Sequence, residues 1–432
     1  MFDVAIIGGG FAGTLTAVHL LRAGITNLAL IERRPPVGRG VAYGTHSEQH
    51  LLNTPAGEMS AFADDPNHFV EWLGDSWWAH FAPRRRYGDY VAAMLAAAPG
   101  GWRGFDDEAV GLLPEDGGYR VRLRGGTIVR ARRVVLAIGQ FPPAPLKPMA
   151  GLEERPWYVD DPWSEAAVAP LPPGGQALLV GTGLSAVDVA ISLLDDAGAG
   201  HVVMASRNGR LPMPQLTTAP YKDWFHPDTA PLRLSQLLRQ FRAEVKRSGL
   251  DARAVLDAMR PHVPAIWQRL PWVERRRFLR HLRSRWEAVR NRLPQPTAAR
   301  LAELRVGGFI TIMAGRVASL ADAPGGALVT LGDGRELAVA RVINCTGPDM
   351  AYRRINHPLI LDVVGTGLGR WEPLGLGLDV DEDYRLIDDD GATTPGLYAV
   401  GAPTKGRFWE VNGVAELRLH TRDLAARIKA DL

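Results

Sequence analysis

Two stretches of this chain repeat one pattern: a short apolar strand, a glycine-rich turn, then an amphipathic helix. The first is Asp3-Val4-Ala5-Ile6-Ile7, Gly8-Gly9-Gly10-Phe11-Ala12-Gly13 and a helical periodicity from Thr14 to Arg22 that Gly24 ends. The second is Ala177-Leu178-Leu179-Val180, Gly181-Thr182-Gly183-Leu184-Ser185-Ala186 and a helical pattern through Leu194. In a G-x-G-x-x-G turn the first glycine makes the bend and the second lets a pyrophosphate approach the backbone. The third lets helix and strand pack closely. Placed between a strand and a helix, each turn reads as a dinucleotide seat rather than a tight turn alone. A chain with two such units belongs to the α/β class. The expected architecture is two Rossmann-like dinucleotide-binding domains, the second nested in the first.

The two seats differ where their next strands end. Glu32 closes Leu28–Ile31, 19 residues after Gly13, where a carboxylate binds a ribose hydroxyl pair. In the second unit Ala186 replaces the third glycine, and His201–Ala205 is followed by Ser206, Arg207 and Asn208 instead of an acid. A guanidinium and a hydroxyl pair with a 2′-phosphate that a carboxylate would repel. The first seat, Gly8, Gly10, Gly13 and Glu32, is therefore expected to hold FAD. The second, Gly181, Gly183, Ser185, Ser206 and Arg207, is expected to hold NADPH rather than NADH. The competing reading of Arg207 is a solvated loop cation.

With 432 residues the chain has room for two domains. The expected division is 1–165 with 341–432 around the first seat and 166–340 around the second, the proline-rich segments 140–148 and 170–175 serving as linkers. Residues 231–305 change character, becoming helical, arginine-rich and cut by prolines, and read as a helical insertion. Lys and Arg exceed Asp and Glu by three, 50 against 47, too small a field to argue for nucleic acid. The single cysteine, Cys345, excludes an internal disulfide and a two-thiol relay, so redox chemistry must belong to a cofactor. No metal ligand set is expected. The apolar start, Phe2 to Leu21, lacks a basic leader and is broken by Asp3 and glycines. No long uncharged apolar run follows, so the expectation is a cytoplasmic protein without a membrane partner.

Between Trp267 and Leu293 lie nine arginines (269, 275, 276, 277, 280, 283, 285, 290 and 292) against Glu274 and Glu287. Phe278, Leu279, Leu282, Trp286, Val289 and Leu293 recur at helical spacing, which puts one face in the core and the arginines elsewhere. The bland expectation is a solvated basic face. The sharper one turns one or two arginines inward, with His281, to hold a substrate carboxylate, since the Arg fork matches it.

Two apolar strands end in glycine where the chain leaves a domain, 134–138 at Gly139 and 342–346 at Gly347. Near the C-terminus Gly396–Val400 reaches Gly401, and Trp409-Glu410 precedes Gly413-Val414 at the start of the last helix. Free N–H groups at that helix start suit the electron-rich edge of a reduced flavin.

The sequence resembles the two-dinucleotide-binding-domain flavoproteins. More narrowly it resembles a bacterial FAD/NAD(P)-binding protein family that includes amino-acid N-monooxygenases, nitrosuccinate-forming aspartate N-monooxygenase among them. The residues that carry the narrower likeness are 38–43 (GRGVAY), 51–59 (LLNTPAGEM), 69–73 (FVEWL), Trp409-Glu410 and Glu416-Leu417-Arg418. The likeness spans essentially the whole chain. It implies that Asn53 and Met59 lie against the isoalloxazine, where an amide satisfies ring heteroatoms and a polarizable thioether covers a face. A turn-forming Asn and a core Met are the alternative. Two departures stand out: F-x-G-x-x-x-H is absent from 141–163, and Ala402 stands where many FAD enzymes carry Asp. The resemblance implies that NADPH reduces FAD and that dioxygen is then used to hydroxylate the nitrogen of a small amine, with a carboxylate-bearing amine among the candidates. Two other readings remain open: a reductase or dehydrogenase passing electrons to a partner or small acceptor, and a non-catalytic FAD-binding sensor. Neither the substrate nor the oligomeric state is legible.

Overall fold

The computed structural model describes residues 1–45, 47–149, 151–152, 154–216 and 221–432. Strand runs apolar on both faces, such as Leu28–Ile31, belong to parallel sheets covered on both sides. The larger sheet runs in the order Arg385–Ile387, Thr393–Ala399, Ile128–Leu136, Phe2–Ile7, Leu28–Ile31, Trp102–Phe105. All are parallel except the first, an antiparallel edge. Gly118–Leu123 and Ala109–Glu115 continue antiparallel from the early half of Ile128–Leu136. The sequence suggests two strands, 127–131 and 134–138; the structure has one. No glycine or proline separates Ala131 from Val134, and Arg132 points to solvent without breaking the extended chain.

The second sheet is parallel throughout, in the order Ile310–Ala314, His201–Ser206, Gln176–Val180, Arg341–Asn344, Tyr158–Val159. Alternation gives it two faces. Ala177, Leu179, Val202, Met204 and Ile343 pack with Val187, Val189 and Leu301 of the helices. Leu178, Val203, Ala205 and Val342 pack against a three-stranded antiparallel sheet, Val317–Ala323, Gly326–Leu331 and Glu336–Val339. This corrects the expected division at two points. Arg341–Asn344 hydrogen-bonds between Gln176–Val180 and Tyr158–Val159, so both 341–344 and 158–159 lie in the second sheet. The return to the first sheet starts after Asn344.

Helices from Leu234–Ser248 to Gln295–Val306 occupy the insertion. Its arginine-rich part turns the expected apolar face inward only in part: Phe278, Leu279 and Trp286 pack half-buried against the cluster of Trp267 and Trp409, and Leu293 is buried in the second sheet's core. In Trp272–His281 the most buried residue is Glu274, which accepts the backbone N–H of Leu234 and a hydrogen bond from Arg277. Among the described residues no helix is long and apolar enough to cross a membrane.

Candidate functional site

The first glycine turn joins Phe2–Ile7 to the helix Phe11–Arg22. Gly8 takes φ +108°, and a Cβ there would lie 2.2 Å from the Ala137 carbonyl oxygen on the neighbouring strand's exit. A Cβ on Gly13 would lie 1.8 Å from the Gly8 carbonyl oxygen. Both positions require glycine for packing alone. Gly10 is different: it is the helix N-cap in extended backbone, no side chain caps the helix, and a Cβ would meet only Gly40 Cα at 3.6 Å. An uncapped N-terminus of a twelve-residue helix presents backbone N–H groups and a positive dipole end.

Glu32 is buried at the strand end. Its Oε2 accepts the Gly9 N–H at 2.6 Å and its Oε1 the Arg34 N–H at 2.7 Å. Each carboxylate oxygen keeps a lone pair for a hydroxyl donor. Gly401, at φ +79°, closes the opposite side, with a Cβ position 3.5 Å from Ala12 Cβ and 3.8 Å from Leu417 Cδ2 of the last helix, Val414–Asp431. Gly139 is exposed at φ +70°, its carbonyl accepting a long hydrogen bond from the Tyr352 hydroxyl.

Met59 belongs to the main core and is 6% exposed, its carbonyl accepting the Tyr87 hydroxyl at 2.9 Å. Asn53 is half-buried, and among the described residues its amide makes no hydrogen bond. Asn53 thus has a free amide, whereas Met59 is packed as a core residue.

The second turn repeats the first. Gly181 takes φ +136° with a Cβ position 2.1 Å from the Cys345 carbonyl oxygen. Gly183 is the extended, uncapped N-cap of Leu184–Asp195, and a Cβ there would meet nothing within 4 Å. Ser185 is half-buried without a hydrogen-bond partner among the described residues, and Ala186 is fully buried. The Ser206 hydroxyl is engaged, bonding Thr182 Oγ1 at 2.9 Å and accepting the Gly209 N–H at 3.1 Å. Arg207 is exposed and makes no pair among the described residues.

The segment between Gly401 and Gly413 carries the insertion. Trp409 stacks on Trp267 at 4.7 Å, Lys405 Nζ lies 4.6 Å over Trp409, and Trp267 Nε1 donates to the Gly406 carbonyl at 2.9 Å. Burial holds the Lys405 ammonium below its usual range. Glu410 accepts Trp286 Nε1 and Arg290 Nε, each at 3.1 Å. Glu416, in the first turn of the last helix, lies 3.7 Å from Arg290 and 3.9 Å from Arg260. Its Oε2 sits 2.2 Å from where a Gly413 Cβ would be, so Gly413 leaves room for the carboxylate at this N-terminus, while Val414 is buried. Of the nine arginines, Arg290 and Arg292 turn inward. Both already hold carboxylates of this chain, Arg290 those of Glu410 and Glu416, Arg292 that of Asp257 at 2.8 Å. His281 is exposed, which removes it from the expected carboxylate clamp.

Sequence reasoning missed Asp188. It lies 4% exposed on the second fingerprint helix and pairs with Arg84 at 2.8 Å. The signal was present: a lone carboxylate inside the apolar run 186–191 is costly unless paired.

The FAD-NAD(P)-binding family model matches residues 5–141. No curated protein matches the chain. Among solved structures, the ornithine hydroxylase PvdA from Pseudomonas aeruginosa is similar over 100% of this chain and 99% of its own, with TM-score 0.68 and 15% identity. DfoA, a cadaverine monooxygenase from Erwinia amylovora bound to FAD, gives TM-score 0.69 at 15% identity over 100% and 95%. Lactococcus lactis thioredoxin reductase gives 0.56 at 13% over 100% and 99%. The chain therefore carries an FAD-NAD(P)-binding domain in residues 5–141 and has the fold of the two-dinucleotide-binding-domain flavoproteins.

Proposed function

We propose that this chain is an FAD-dependent, NADPH-oxidising monooxygenase that hydroxylates the nitrogen of a small amine or amino acid. One observation carries the cofactor assignment: two uncapped glycine N-termini in one chain, with a buried carboxylate, Glu32, beside the first and an exposed guanidinium, Arg207, unpaired among the described residues, beside the second. Gly10 and the first turn of Phe11–Arg22 would hold the FAD pyrophosphate and Glu32 its ribose. Gly401, Gly139 and the segment bearing Asn53 and Met59 would frame the rest, with Gly413-Val414 at the pyrimidine edge. Gly183 and Ser185 would hold the NADPH pyrophosphate, with Ser206 and Arg207 at the 2′-phosphate. Bound FAD would supply hydride acceptance and oxygen activation. The chain's own residues bind, orient and exclude water.

The balanced reaction is amine plus O2 plus NADPH plus H⁺ giving hydroxylamine, NADP⁺ and water. The whole-length likeness to ornithine and cadaverine hydroxylating enzymes supports the amine reading. Against a thiol–disulfide reductase stands the single cysteine, Cys345, buried with its thiol pushed up by burial. Oxygen uptake that rises with an added amine and yields a hydroxylamine tests the reading; uptake yielding only peroxide across amines contradicts it.

Replacing Arg207 by Ala is expected to raise KM for NADPH about 10- to 100-fold, the equivalent of ~1.5–3 kcal/mol of charge-assisted hydrogen bonding. KM for NADH should hardly move. Equal changes for the two nucleotides would make Arg207 a solvated cation.

A further inference from the structure

The helix that begins at Gly183 is gripped along one side by residues of the first sheet's domain. Asp188 and Ser192, one turn apart on Leu184–Asp195, face Arg84 and His50. Arg84 NH2 lies 2.8 Å from Asp188 Oδ2, and Arg84 Nε donates to the Leu51 carbonyl at 3.0 Å. His50 Nε2 bonds Ser192 Oγ at 3.0 Å, while its Nδ1 bonds Thr45 Oγ1 at 2.6 Å. The Trp163 ring covers the group, 5.9 Å from His50 and 5.5 Å from the Arg84 guanidinium. His50 and Arg84 are held together in turn, since the Arg84 N–H donates to the His50 carbonyl at 2.8 Å and Leu51 bridges Pro83. The joint is buried: the Asp188 and Arg84 side chains are 5% and 14% exposed. Burial pushes the Asp188 carboxyl up, against the opposing pull of Arg84 and His50, and holds His50 below its usual range.

Two features make this more than a domain contact. Asp188 sits five residues past Gly183, in the second turn of the helix whose first turn is the proposed pyrophosphate seat. His50 and Leu51 stand three and two residues before Asn53, at the start of the segment proposed to line the flavin. One small group therefore grips both seats. A buried ion pair is weak evidence for stability, because well-packed apolar side chains of similar volume often replace it without loss. The directional bonds of the group, Arg84 Nε to the Leu51 carbonyl and His50 Nε2 to Ser192 Oγ, fix where the pair sits.

We propose that Arg84, Asp188, His50 and Ser192 are positioning residues that set the register between the two nucleotide seats, on which hydride transfer between the bound nucleotides would depend. This rests on the FAD/NADPH reading above. A misplacement of about 1 Å far from the chemistry costs about 100-fold in rate, so the joint acts on the reduction rate rather than on affinity for either nucleotide.

The test uses the full-length FAD-loaded protein and the double variant Arg84→Met with Asp188→Leu, which swaps the pair for apolar groups. Melting point, FAD content, NADPH dissociation constant and the anaerobic rate of flavin bleaching by NADPH are measured. The expected result is a folded, yellow protein with an NADPH dissociation constant within about threefold of the parent and a bleaching rate about 100-fold lower. Arg84→Lys, which keeps the charge but loses the fork to Leu51, should recover part of that rate; if the double variant does not fold, a slowed Arg84→Lys with unchanged NADPH binding decides for the proposal. Bleaching at the parent rate, in the double variant or in Arg84→Lys where the double variant does not fold, overturns it. A parent protein that NADPH does not bleach overturns the FAD/NADPH reading instead, and the positioning role with it.

Discussion

Gly10→Val is expected to give a folded but colourless protein. Gly10 has ordinary extended backbone, φ −72° and ψ −168°, and a Cβ there would meet only Gly40 Cα, at an ordinary contact distance of 3.6 Å, so the fold admits a Cβ without strain. The ligand does not. A phosphate reaching the N–H groups of this helix must pass over Gly10 Cα, and each charge-assisted hydrogen bond lost is ~1.5–3 kcal/mol. FAD affinity should fall by about 100-fold or more, the equivalent of ~2.7 kcal/mol. Gly8→Val is the contrasting control. At φ +108° and with the Ala137 carbonyl 2.2 Å from the Cβ position, it forces backbone movement. A cost above ~3 kcal/mol is expected, against total stabilities of ~5–15 kcal/mol. Absorbance of the purified proteins and their melting points separate the two: a yellow Gly10→Val protein would remove the FAD seat from the first fingerprint.

Gly183→Val should give the complementary result, a yellow protein that NADPH bleaches poorly. Nothing lies within 4 Å of a Cβ at Gly183, so neither the fold nor the first seat is touched. The side chain would stand where the second pyrophosphate approaches the uncapped helix. KM for NADPH and for NADH should both rise about 100-fold, because the pyrophosphate is common to the two nucleotides. This separates Gly183 from Arg207, whose replacement affects NADPH alone. Steady-state oxidation of both nucleotides by the FAD-loaded variant checks it; unchanged constants would mean that the second turn is only structural.

Much of this organisation was legible in the sequence because glycine patterns report local backbone geometry. The clash distances at Gly8, Gly13 and Gly181 are consequences of strand–turn–helix crossings that G-x-G-x-x-G encodes within a few residues. Long-range choices were less legible. Arg341–Asn344 and Ile128–Leu136 are both apolar strands running toward a glycine, and nothing local says which sheet each joins; only pairing with Ala177–Val180 places the former. The inward polar groups of the insertion were illegible for a related reason. Its apolar residues keep helical spacing, yet short helices bend around Trp267 and Trp409, so Glu274 and Arg290 are drawn inward by partners as distant as Leu234 and Glu410. Asp188 follows the same logic: its partner Arg84 lies a hundred residues away.

The proposed reaction requires electrons to pass from a nicotinamide held at Gly183 to a flavin held at Gly10. Mixing the purified yellow protein with NADPH in the absence of oxygen tests it most directly. Rapid loss of the flavin's visible absorbance, faster with NADPH than with NADH, is the predicted result; a spectrum that NADPH leaves unchanged would contradict it.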